Sequence, residues 1–435
     1  MSTPQPIVFE NVEVVTVTAR GVLRGGTVVV EGGRITRVAA AGEPVERPAG
    51  ARVVRGPDRA LCPGHVNLHN HAAMTLFRGW ADDMNLMPWL ETKIWPAEAR
   101  LTGEDVYWGT LLCLAEMLRA GTTTFADMYF FEDEVARAVA ESGMRAVLSV
   151  GLLDADGGGE RRLREGVDFV RRWHGAAGGR IRAMLGPHAP YTCSLAYLKE
   201  IVAASKELDC AIHIHLHETR GEVERHAALH GCSPIQSLAG LGLFERPVLA
   251  AHCVHVSEED IAVLAQMRGG VSHNPLSNLK LASGIAPVAR LLEAGVPLGL
   301  GTDGPTSTNQ MGLWEEMRLC SWLAKVSTGD GAAVPAARSL ELGTRGGAEV
   351  LGWPELGRIE EGAAADLILV DLSSPRFAPL HDVVSALVYG TQDADVEMVL
   401  VGGEVVVEGG RCTRLDEERI RHEVARRVPR LVAGL

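Results

Sequence analysis

The sequence predicts an α/β protein in which a (β/α)8 barrel of the TIM type lies beside a small β-sandwich domain. Two observations lead to this prediction. Eight apolar, strand-like runs alternate with helical stretches in the middle of the chain, and β-rich segments with glycine turns occupy both ends. We expect residues 1–60 and 356–435 to form one composite β-sandwich with a C-terminal helix, and residues 61–355 to form the barrel.

The eight central runs are short and apolar, and amphipathic stretches of helical period separate them. Apolar strands that alternate with helices are typical of a parallel sheet with both faces covered. Eight such units in succession favour a closed barrel over an open sheet. The runs span residues 66–69, 123–128, 145–153, 181–187, 211–217, 247–254, 270–274 and 296–303.

The two chain ends have a different texture, with alternating apolar residues and Gly-Gly turns that indicate strands and hairpins. We expect the two β-rich ends to pair with each other beside the barrel, so that the second domain is discontinuous in sequence. A helix is predicted near the C-terminus. The predicted strands cover residues 7–17, 26–30, 34–39, 365–372, 396–401 and 403–407, and the helix covers residues 416–432.

Composition excludes several classes of function. The 435 residues carry a net charge of −13 without a long basic run, which argues against nucleic acid as a partner. No stretch approaches the roughly 20 apolar residues of a membrane span. The N-terminus lacks signal-peptide features, and the eight cysteines form no C-x-x-C pair, so we expect a cytoplasmic protein with reduced thiols. A homo-oligomer is compatible with such a barrel.

A His-x-His sequence, His69 and His71, ends the first predicted barrel strand. Residues two apart in a strand point to the same side, so the two imidazoles can share a target. Active sites of such barrels lie at the carboxyl ends of the strands. The other predicted strands end near further candidate ligands, namely His188, His213, His215, His217, Glu218, His252, His255, His273 and Asp303.

The strand ends predict a metal site made of His69, His71, one fifth-strand histidine and Asp303. Three nitrogens and one oxygen suit Zn²⁺ or Fe²⁺ with a position left for water. Such a metal lowers the pKa of its water to about 7, which supplies hydroxide at neutral pH. The two-residue period does not choose among the three fifth-strand histidines, because they share one face. The fourth strand has no lysine to bridge two ions, so we expect one divalent metal per subunit.

Breaking a carbon–nitrogen bond also requires an acid near the leaving amine. Glu218 follows His215 by three residues and is expected at the same rim. His252 and Asp303 are candidates to hold or deprotonate the attacking water. The remaining histidines of this region have open roles, and polar residues at a barrel rim are often structural.

Seven segments together resemble the amidohydrolase superfamily, and in particular its 5′-methylthioadenosine/S-adenosylhomocysteine deaminases. Guanine deaminases and triazine hydrolases are more distant members of the same superfamily. The resemblance extends over nearly the whole chain, including the split β-sandwich. The segments are PGHVNLHNH, AGTTTFADMY, GPHAPYTCS, HIHLHET, AAHCVH, VSHNPLSNLKLASGIAP and LGTDG.

The resemblance implies roles for individual residues at the strand ends. Glu218 is expected to shuttle a proton to the purine ring, and His252 to orient the hydroxide. The implied metal ligands are His69, His71, His215 and Asp303.

The resemblance also implies a set of substrate contacts. Trp89 is expected to pack against the base, and Glu98 to bind the ribose hydroxyls, since an ionised carboxylate accepts two hydrogen bonds. His188 is a further contact, and Arg162 matches an arginine near the amino-acid carboxylate of S-adenosylhomocysteine. Val150 replaces a second arginine that some relatives carry, which leaves methylthioadenosine, adenosine and 5′-deoxyadenosine as equally credible substrates.

The leading hypothesis is therefore a metal-dependent hydrolytic deaminase that converts a 6-aminopurine nucleoside to its inosine analogue and ammonia. A guanine deaminase or a triazine amino- or chlorohydrolase is the alternative, and Glu98 with Trp89 discriminates because a free base has no ribose diol. A non-catalytic scaffold of the same fold is a third interpretation, although such proteins usually lose metal ligands. The choice between zinc and iron remains open, as do the roles of His213, His217, His255 and His273.

Overall fold

The structure is a computed structural model that describes residues 4–435. Within these residues the strands form one parallel eight-stranded sheet and a separate sheet built from both chain ends, so the predicted fold class is confirmed. The strands are β1 (Ile7–Val15), β2 (Val22–Glu31), β3 (Arg34–Ala39), β4 (Arg52–Arg55), β5 (Arg59–Pro63), β6 (His65–Asn70), β7 (Thr122–Tyr129), β8 (Arg145–Leu152), β9 (Ile181–Pro187), β10 (Ile212–Leu216), β11 (Pro247–His252), β12 (Arg268–His273), β13 (Leu298–Leu300), β14 (Leu367–Asp371), β15 (Val396–Val401), β16 (Glu404–Glu408) and β17 (Arg411–Cys412).

Strands β6 to β13 follow one another around the barrel in chain order, each parallel to the next. The backbone N–H of Asp303, just after β13, donates to the carbonyl of His69 in β6 at 2.9 Å, which joins the first and last strands. The strand β13 is shorter than the predicted run 296–303. Asp303 therefore lies in the turn after the strand, where its side chain reaches the barrel mouth.

Helices cover the outside of the barrel, and several of them begin at polar caps. The hydroxyl of Thr102 accepts from the N–H of Asp105, and the Asp105 carboxylate accepts from the N–H of Thr102, which fixes the start of helix Gly103–Arg119. No helix within residues 4–435 has both the length and the apolar character needed to cross a membrane. The helical segments, including short 3-10 and π turns, are Ala72–Phe77, Leu86–Trp89, Leu90–Ile94, Trp95–Glu98, Gly103–Arg119, Glu132–Ser142, Gly159–Trp173, Ala176–Gly179, Leu195–Leu208, Arg220–His230, Pro234–Gly240, Leu243–Glu245, Glu258–Leu264, Pro275–Lys280, Val288–Glu293, Pro305–Thr308, Leu313–Thr328, Ala336–Glu341, Leu342–Gly346, Gly347–Val350, Pro375–Phe377, Val383–Gly390, Asp393–Asp395 and Glu417–Val432.

The second sheet joins the two ends of the chain. Its strand order is β17-β16-β15-β14-β5-β1-β2-β3, with β4 beside β1, and β5 pairs antiparallel with β14. The sheet bends back so that the N–H of Ile35 reaches the carbonyl of Ala363 at 3.0 Å. Apolar residues from both chain ends then share one core, as in a sandwich. The domain boundaries at residues 60 and 355 stay a prediction, and β5 lies across the first of them.

A buried ion pair connects the barrel to this second sheet. Arg145 at the start of β8 donates through Nε and Nη2 to the two carboxylate oxygens of Asp366, at 2.8 and 3.0 Å. Asp366 directly precedes β14, and its side chain is 1% exposed. The same carboxylate accepts the N–H of Gly402, and the Asp366 carbonyl accepts the N–H of Gly64 at 2.8 Å. The pair thus fixes both chain ends against the base of the barrel.

We expect Asp366→Ala to lower the free energy of unfolding by about 3–5 kcal/mol, because it leaves the Arg145 guanidinium in a buried position without its counter-charge. Denaturant titration followed by circular dichroism measures the loss. Glu165→Ala is the control, since its pair with Arg161 is exposed and should contribute less than about 1 kcal/mol. Equal losses in the two variants would contradict the structural role of Asp366.

Candidate functional site

Polar side chains from separate strand ends meet in one cluster at the carboxyl end of the barrel. His69 lies in β6 and His71 just after it, His215 lies in β10, and Asp303 follows β13. All four come from different positions in the chain and share one rim because the strands are parallel. The structure brings the four predicted residues together, and their role as ligands stays a prediction.

The spacing of the donor atoms fits a common cation. The Nε2 atoms of His69 and His71 each lie 3.3 Å from Oδ1 of Asp303, and Nε2 of His215 lies 3.3 Å from Nε2 of His71. Ligands at zinc-like distances around a tetrahedral centre are about 3.3–3.4 Å apart, which the cluster matches. Among the described residues, Nε2 of His69 is buried without a hydrogen-bond partner. These atoms therefore fit a bound metal better than a hydrogen-bonded network.

The opposite ring nitrogens are all engaged. Nδ1 of His71 donates to the carbonyl of Met128 at 2.6 Å, and Nδ1 of His215 donates to the carbonyl of His188 at 2.6 Å. Nδ1 of His69 lies 2.8 Å from Nε2 of His213. A proton on Nδ1 leaves the Nε2 lone pair free, so these contacts select the tautomer that a metal requires.

Burial and nearby charges shift the pKa values in this cluster in opposite directions. Burial lowers the pKa of His69 to about 3, which keeps its ring neutral. Burial also lowers the pKa of His71, but its contacts with Asp303 outweigh this effect and raise the value to about 9. The same histidines hold the pKa of Asp303 well below its usual range, although burial alone would raise it. A cation at this position competes with the proton on Nε2 of His71.

Asp303 is held by two serine hydroxyls. Its Oδ2 accepts from Oγ of Ser277 at 2.6 Å and from Oγ of Ser307 at 3.0 Å. These contacts turn Oδ1 toward the histidines. Its backbone has a φ of +65°, a conformation that non-glycine residues rarely adopt, and the hydrogen bond to His69 supports it. The carboxylate therefore has a fixed orientation.

The remaining histidines contact the protein rather than the shared metal position. His213 bridges His69 and Oγ of Ser149, with 3.3 Å to the latter. Nδ1 of His217 donates to the carbonyl of His255 at 2.8 Å. The ring of His255 donates to the carbonyl of Ser283 at 2.6 Å. His273 is buried, and among the described residues its Nδ1 has no hydrogen-bond partner.

Glu218 and His252 face each other beside the cluster. Oε2 of Glu218 lies 3.9 Å from Nε2 of His252, whose Nδ1 donates to Oδ1 of Asn278 at 2.8 Å. Burial raises the pKa of Glu218. Glu222 accepts the backbone N–H groups of His217 and Glu218 and thereby fixes the turn that carries Glu218. Sequence reasoning missed Glu222, although a threonine at position 219 followed by glutamate three residues later is a signature of a helix start.

A cavity of about 1040 Å³ opens above the cluster. Trp89 is 5% exposed and lines it, and Glu98 accepts a hydrogen bond from the hydroxyl of Tyr129 at 2.7 Å. Burial raises the pKa of Glu98 to about 7, although the Tyr129 hydroxyl partly offsets this. Tyr129 was not predicted, because it is the residue just beyond the expected second strand. The long connection after β6 thus places an aromatic ring and a carboxylate in the cavity above the cluster of histidines and Asp303.

The other predicted substrate residues line the same cavity. Nδ1 of His188 lies 2.8 Å from Oγ1 of Thr192, and burial lowers the pKa of His188 to about 4, so its ring is neutral. Val150 lies beside Tyr129 in the register of β7 and β8. Arg162 also lines the cavity, and its guanidinium is already paired within the chain.

Comparisons with known proteins agree with this arrangement. The model of the amidohydrolase family matches residues 60–406. A protein named 5-methylthioadenosine/S-adenosylhomocysteine deaminase from Desulforudis audaxviator is 53% identical over 411 residues, 94% of this chain and 96% of that protein. A crystal structure of an adenosine deaminase from Xanthomonas campestris with bound zinc is 36% identical, with a TM-score of 0.92 over 99% of both chains. The atrazine chlorohydrolase TrzN from Arthrobacter aurescens, complexed with zinc, is 24% identical with a TM-score of 0.89 over 97% of this chain and 100% of that chain, which shows a shared fold.

These matches and the cluster together indicate a divalent metal. The family match spans every barrel strand. Two groups of donors, His69 with His71 and Asp303, and His69 with His215 and His252, each have their atoms within 4.8 Å of one another. Both groups contain His69, which makes this residue the centre of the donor set.

We expect His69→Ala to abolish stable metal binding, because it removes the donor common to both groups. His213→Gln should weaken metal affinity by about 10–100-fold, because His213 orients the His69 ring. Elemental analysis after dialysis, with chelator competition, measures both effects. His226→Gln is the control, since His226 is buried on helix Arg220–His230 and is not in either donor group. Full metal content in His69→Ala would contradict this placement of the centre.

Proposed function

This chain belongs to the amidohydrolase family and is a hydrolase that acts on carbon–nitrogen bonds, and we propose that it deaminates 6-aminopurine nucleosides. The predicted family and enzyme class are thereby confirmed. The substrates proposed are 5′-methylthioadenosine, S-adenosylhomocysteine, adenosine and 5′-deoxyadenosine, and the products are the inosine analogue and ammonia. The observation that carries this proposal is the Glu98 carboxylate in the same cavity as the histidine and aspartate cluster.

Four residues are proposed to hold one divalent cation per subunit. We propose zinc rather than iron because the adenosine deaminase at 36% identity contains zinc, while three nitrogens and one oxygen suit either metal. When bound, such a cation would lower the pKa of a water molecule to about 7. The proposed ligands are His69, His71, His215 and Asp303.

Glu218 is the proposed proton carrier. Its raised pKa makes the protonated carboxyl available closer to neutral pH than in an exposed glutamate. Oε2 of Glu218 would give a proton to the ring nitrogen next to the carbon that bears the amine. The oxygen of water adds to that carbon, and one proton of the water restores the Glu218 carboxyl. The second proton of the water passes to the amine, which leaves as ammonia. His252, 3.9 Å from Glu218, would orient the attacking water, and Glu222 keeps the Glu218 turn in place.

The upper cavity is proposed to bind the nucleoside. Trp89 would pack against the base, and His188 would contact the base from the side of β9. Glu98 would accept hydrogen bonds from the two ribose hydroxyls. The Tyr129 hydroxyl holds one oxygen of that carboxylate at 2.7 Å and so sets its orientation before the substrate arrives.

Two other interpretations are weaker. A guanine deaminase or a triazine hydrolase would use a similar metal centre, but its substrate has no diol for Glu98. The likeness to the triazine enzyme at 24% identity concerns the fold alone. A non-catalytic scaffold would not be expected to keep a complete donor set, and this chain has all four side chains within reach of one another.

The location of the enzyme and its partners also belong to the proposal. We propose that the enzyme acts in the cytoplasm, because its eight cysteines are free thiols, as is typical of proteins in a reducing compartment. A homo-oligomer also remains a proposal. The acidic net charge of −13 does not favour nucleic acid as a partner.

The proposed function is tested by ammonia release from a substrate panel with the zinc-loaded enzyme. We expect kcat/KM for the four nucleosides to exceed that for guanine and for a triazine by on the order of a hundredfold or more. Chelator-treated enzyme should lose activity and regain it with zinc. A preference for guanine or the triazine would contradict the proposal, as would nucleoside deamination that persists without metal.

The role of Glu98 is tested with adenosine and 2′,3′-dideoxyadenosine, which differ only in the diol. Glu98→Gln should lower kcat/KM for adenosine by about 10–100-fold, the value of one lost hydrogen bond to a charged group. The dideoxy compound should change by less than about threefold. Glu165→Gln, an exposed carboxylate at the cavity mouth, is the control and should alter neither substrate. Equal losses on both nucleosides in Glu98→Gln would exclude diol recognition.

The pKa of Glu98 adds a pH dependence. Because this pKa is raised to about 7, Glu98 is ionised above that pH and becomes protonated below it, where it loses acceptor capacity. The adenosine to dideoxyadenosine ratio of kcat/KM should therefore fall as the pH decreases through about 7. In Glu98→Gln the ratio should not vary with pH. A ratio that is constant from pH 5.5 to 8.5 in the unmodified enzyme would contradict the assignment.

A further inference from the structure

The cavity has two arginines among its described lining residues, and each is already paired with a carboxylate of the same chain. Nη1 and Nη2 of Arg162 donate to the two carboxylate oxygens of Asp156 at 2.6 and 2.5 Å. Nη1 of Arg162 also donates to the carbonyl of Leu153 at 2.9 Å. Arg161 lies on the outer side and donates to Glu165 at 2.7 Å.

The pairing of Arg162 uses the geometry that a ligand carboxylate would use. An arginine recognises a carboxylate best through two parallel N–H···O contacts, and Asp156 already makes both. The Arg162 side chain is 15% exposed, whereas that of Asp156 is 55% exposed. Asp156 therefore approaches the guanidinium from the solvent side, in the loop before helix Gly159–Trp173.

Apolar side chains line the same cavity as this pair. They are Val150 from β8, Leu153 just after it and Phe169 from helix Gly159–Trp173. An uncharged methyl or methylthio group gains from contact with such surfaces because it leaves water. A charged amino-acid group gains little there unless a counter-charge is free to receive it.

Resting on the proposed function, we propose that Asp156 determines specificity by occupying Arg162 in place of a substrate carboxylate. The enzyme then favours nucleosides with an uncharged, apolar 5′ substituent, such as 5′-methylthioadenosine and 5′-deoxyadenosine, over S-adenosylhomocysteine. A substrate carboxylate must displace Asp156, so it exchanges one ion pair for another. An apolar substituent leaves the Asp156–Arg162 pair intact.

The test compares kcat/KM for S-adenosylhomocysteine and 5′-methylthioadenosine on the zinc-loaded enzyme. The ratio of the first to the second should be below one in the unmodified enzyme. Asp156→Asn should raise this ratio by about fivefold, the upper value of an exposed ion pair. Asp156→Ser should also raise the ratio. Because it removes the charge without adding an amide, it shows whether the effect in Asp156→Asn comes from the lost charge.

Two further variants identify the cause. Arg162→Gln in the Asp156→Asn background should remove the gain, because the freed guanidinium is what receives the substrate carboxylate. Glu165→Gln removes the same charge from the neighbouring Arg161 pair and should leave the ratio within about twofold, since that pair is exposed on both sides. An equal rise in Glu165→Gln would mean that general electrostatics, and not Asp156, sets the preference.

The outcomes separate this inference from the proposed function. A ratio of one or more in the unmodified enzyme, or an unchanged ratio in both Asp156 variants, overturns the inference while nucleoside deamination stands. Absence of ammonia release from every nucleoside in the unmodified, zinc-loaded enzyme overturns the proposed function and this inference with it.

Discussion

Burial of several imidazole rings around one aspartate is the constraint on which the rest of the structure depends. Each ring N–H needs an acceptor inside the protein, and the carbonyls of Met128 and His188 at neighbouring strand ends supply two of them. Such carbonyls lie at a common rim only when the strands are parallel and the sheet closes into a barrel. The link from Asp303 to the carbonyl of His69 provides that closure at the donor cluster itself. Barrel closure and the placement of the candidate metal ligands therefore depend on the same contacts.

The architecture could be predicted from sequence because its signals are local. Apolar runs of strand length, helical periods between them and glycine turns at both ends specify a barrel and a flanking β-domain without knowledge of any contact. The rule that active sites lie at the carboxyl ends of barrel strands then predicted the candidate metal ligands. Its limit was the choice among His213, His215 and His217, which share a face by period alone. Their ring contacts separate them: His213 lies behind His69, with its Nε2 beside Nδ1 of His69, and His217, with a φ of +53°, turns its Nδ1 toward the carbonyl of His255.

The sequence did not show which polar and charged side chains pair with each other. The contact of Tyr129 with Glu98 joins β7 to a helix in the preceding connection, and the contact of Asp156 with Arg162 depends on the path of a loop. Residue types at these positions were visible, but a sequence does not show which charge is already neutralised. Arg162 illustrates the difference: the resemblance identified its place near the substrate, whereas the structure shows the carboxylate it already holds.

The pairing of β5 with β14 has a consequence for biosynthesis. Strand β5 leads through Gly64 directly into β6 and His69, yet its partner β14 begins about 300 residues later in the chain. At ribosomal rates this interval is on the order of 15–60 s, during which the edge of β5 that faces β14 is unpaired, while its other edge can pair with β1. Strand β5 therefore lacks its connection to the second half of the sheet until residues 367–371 have been made, and a chain truncated before residue 367 cannot form that connection.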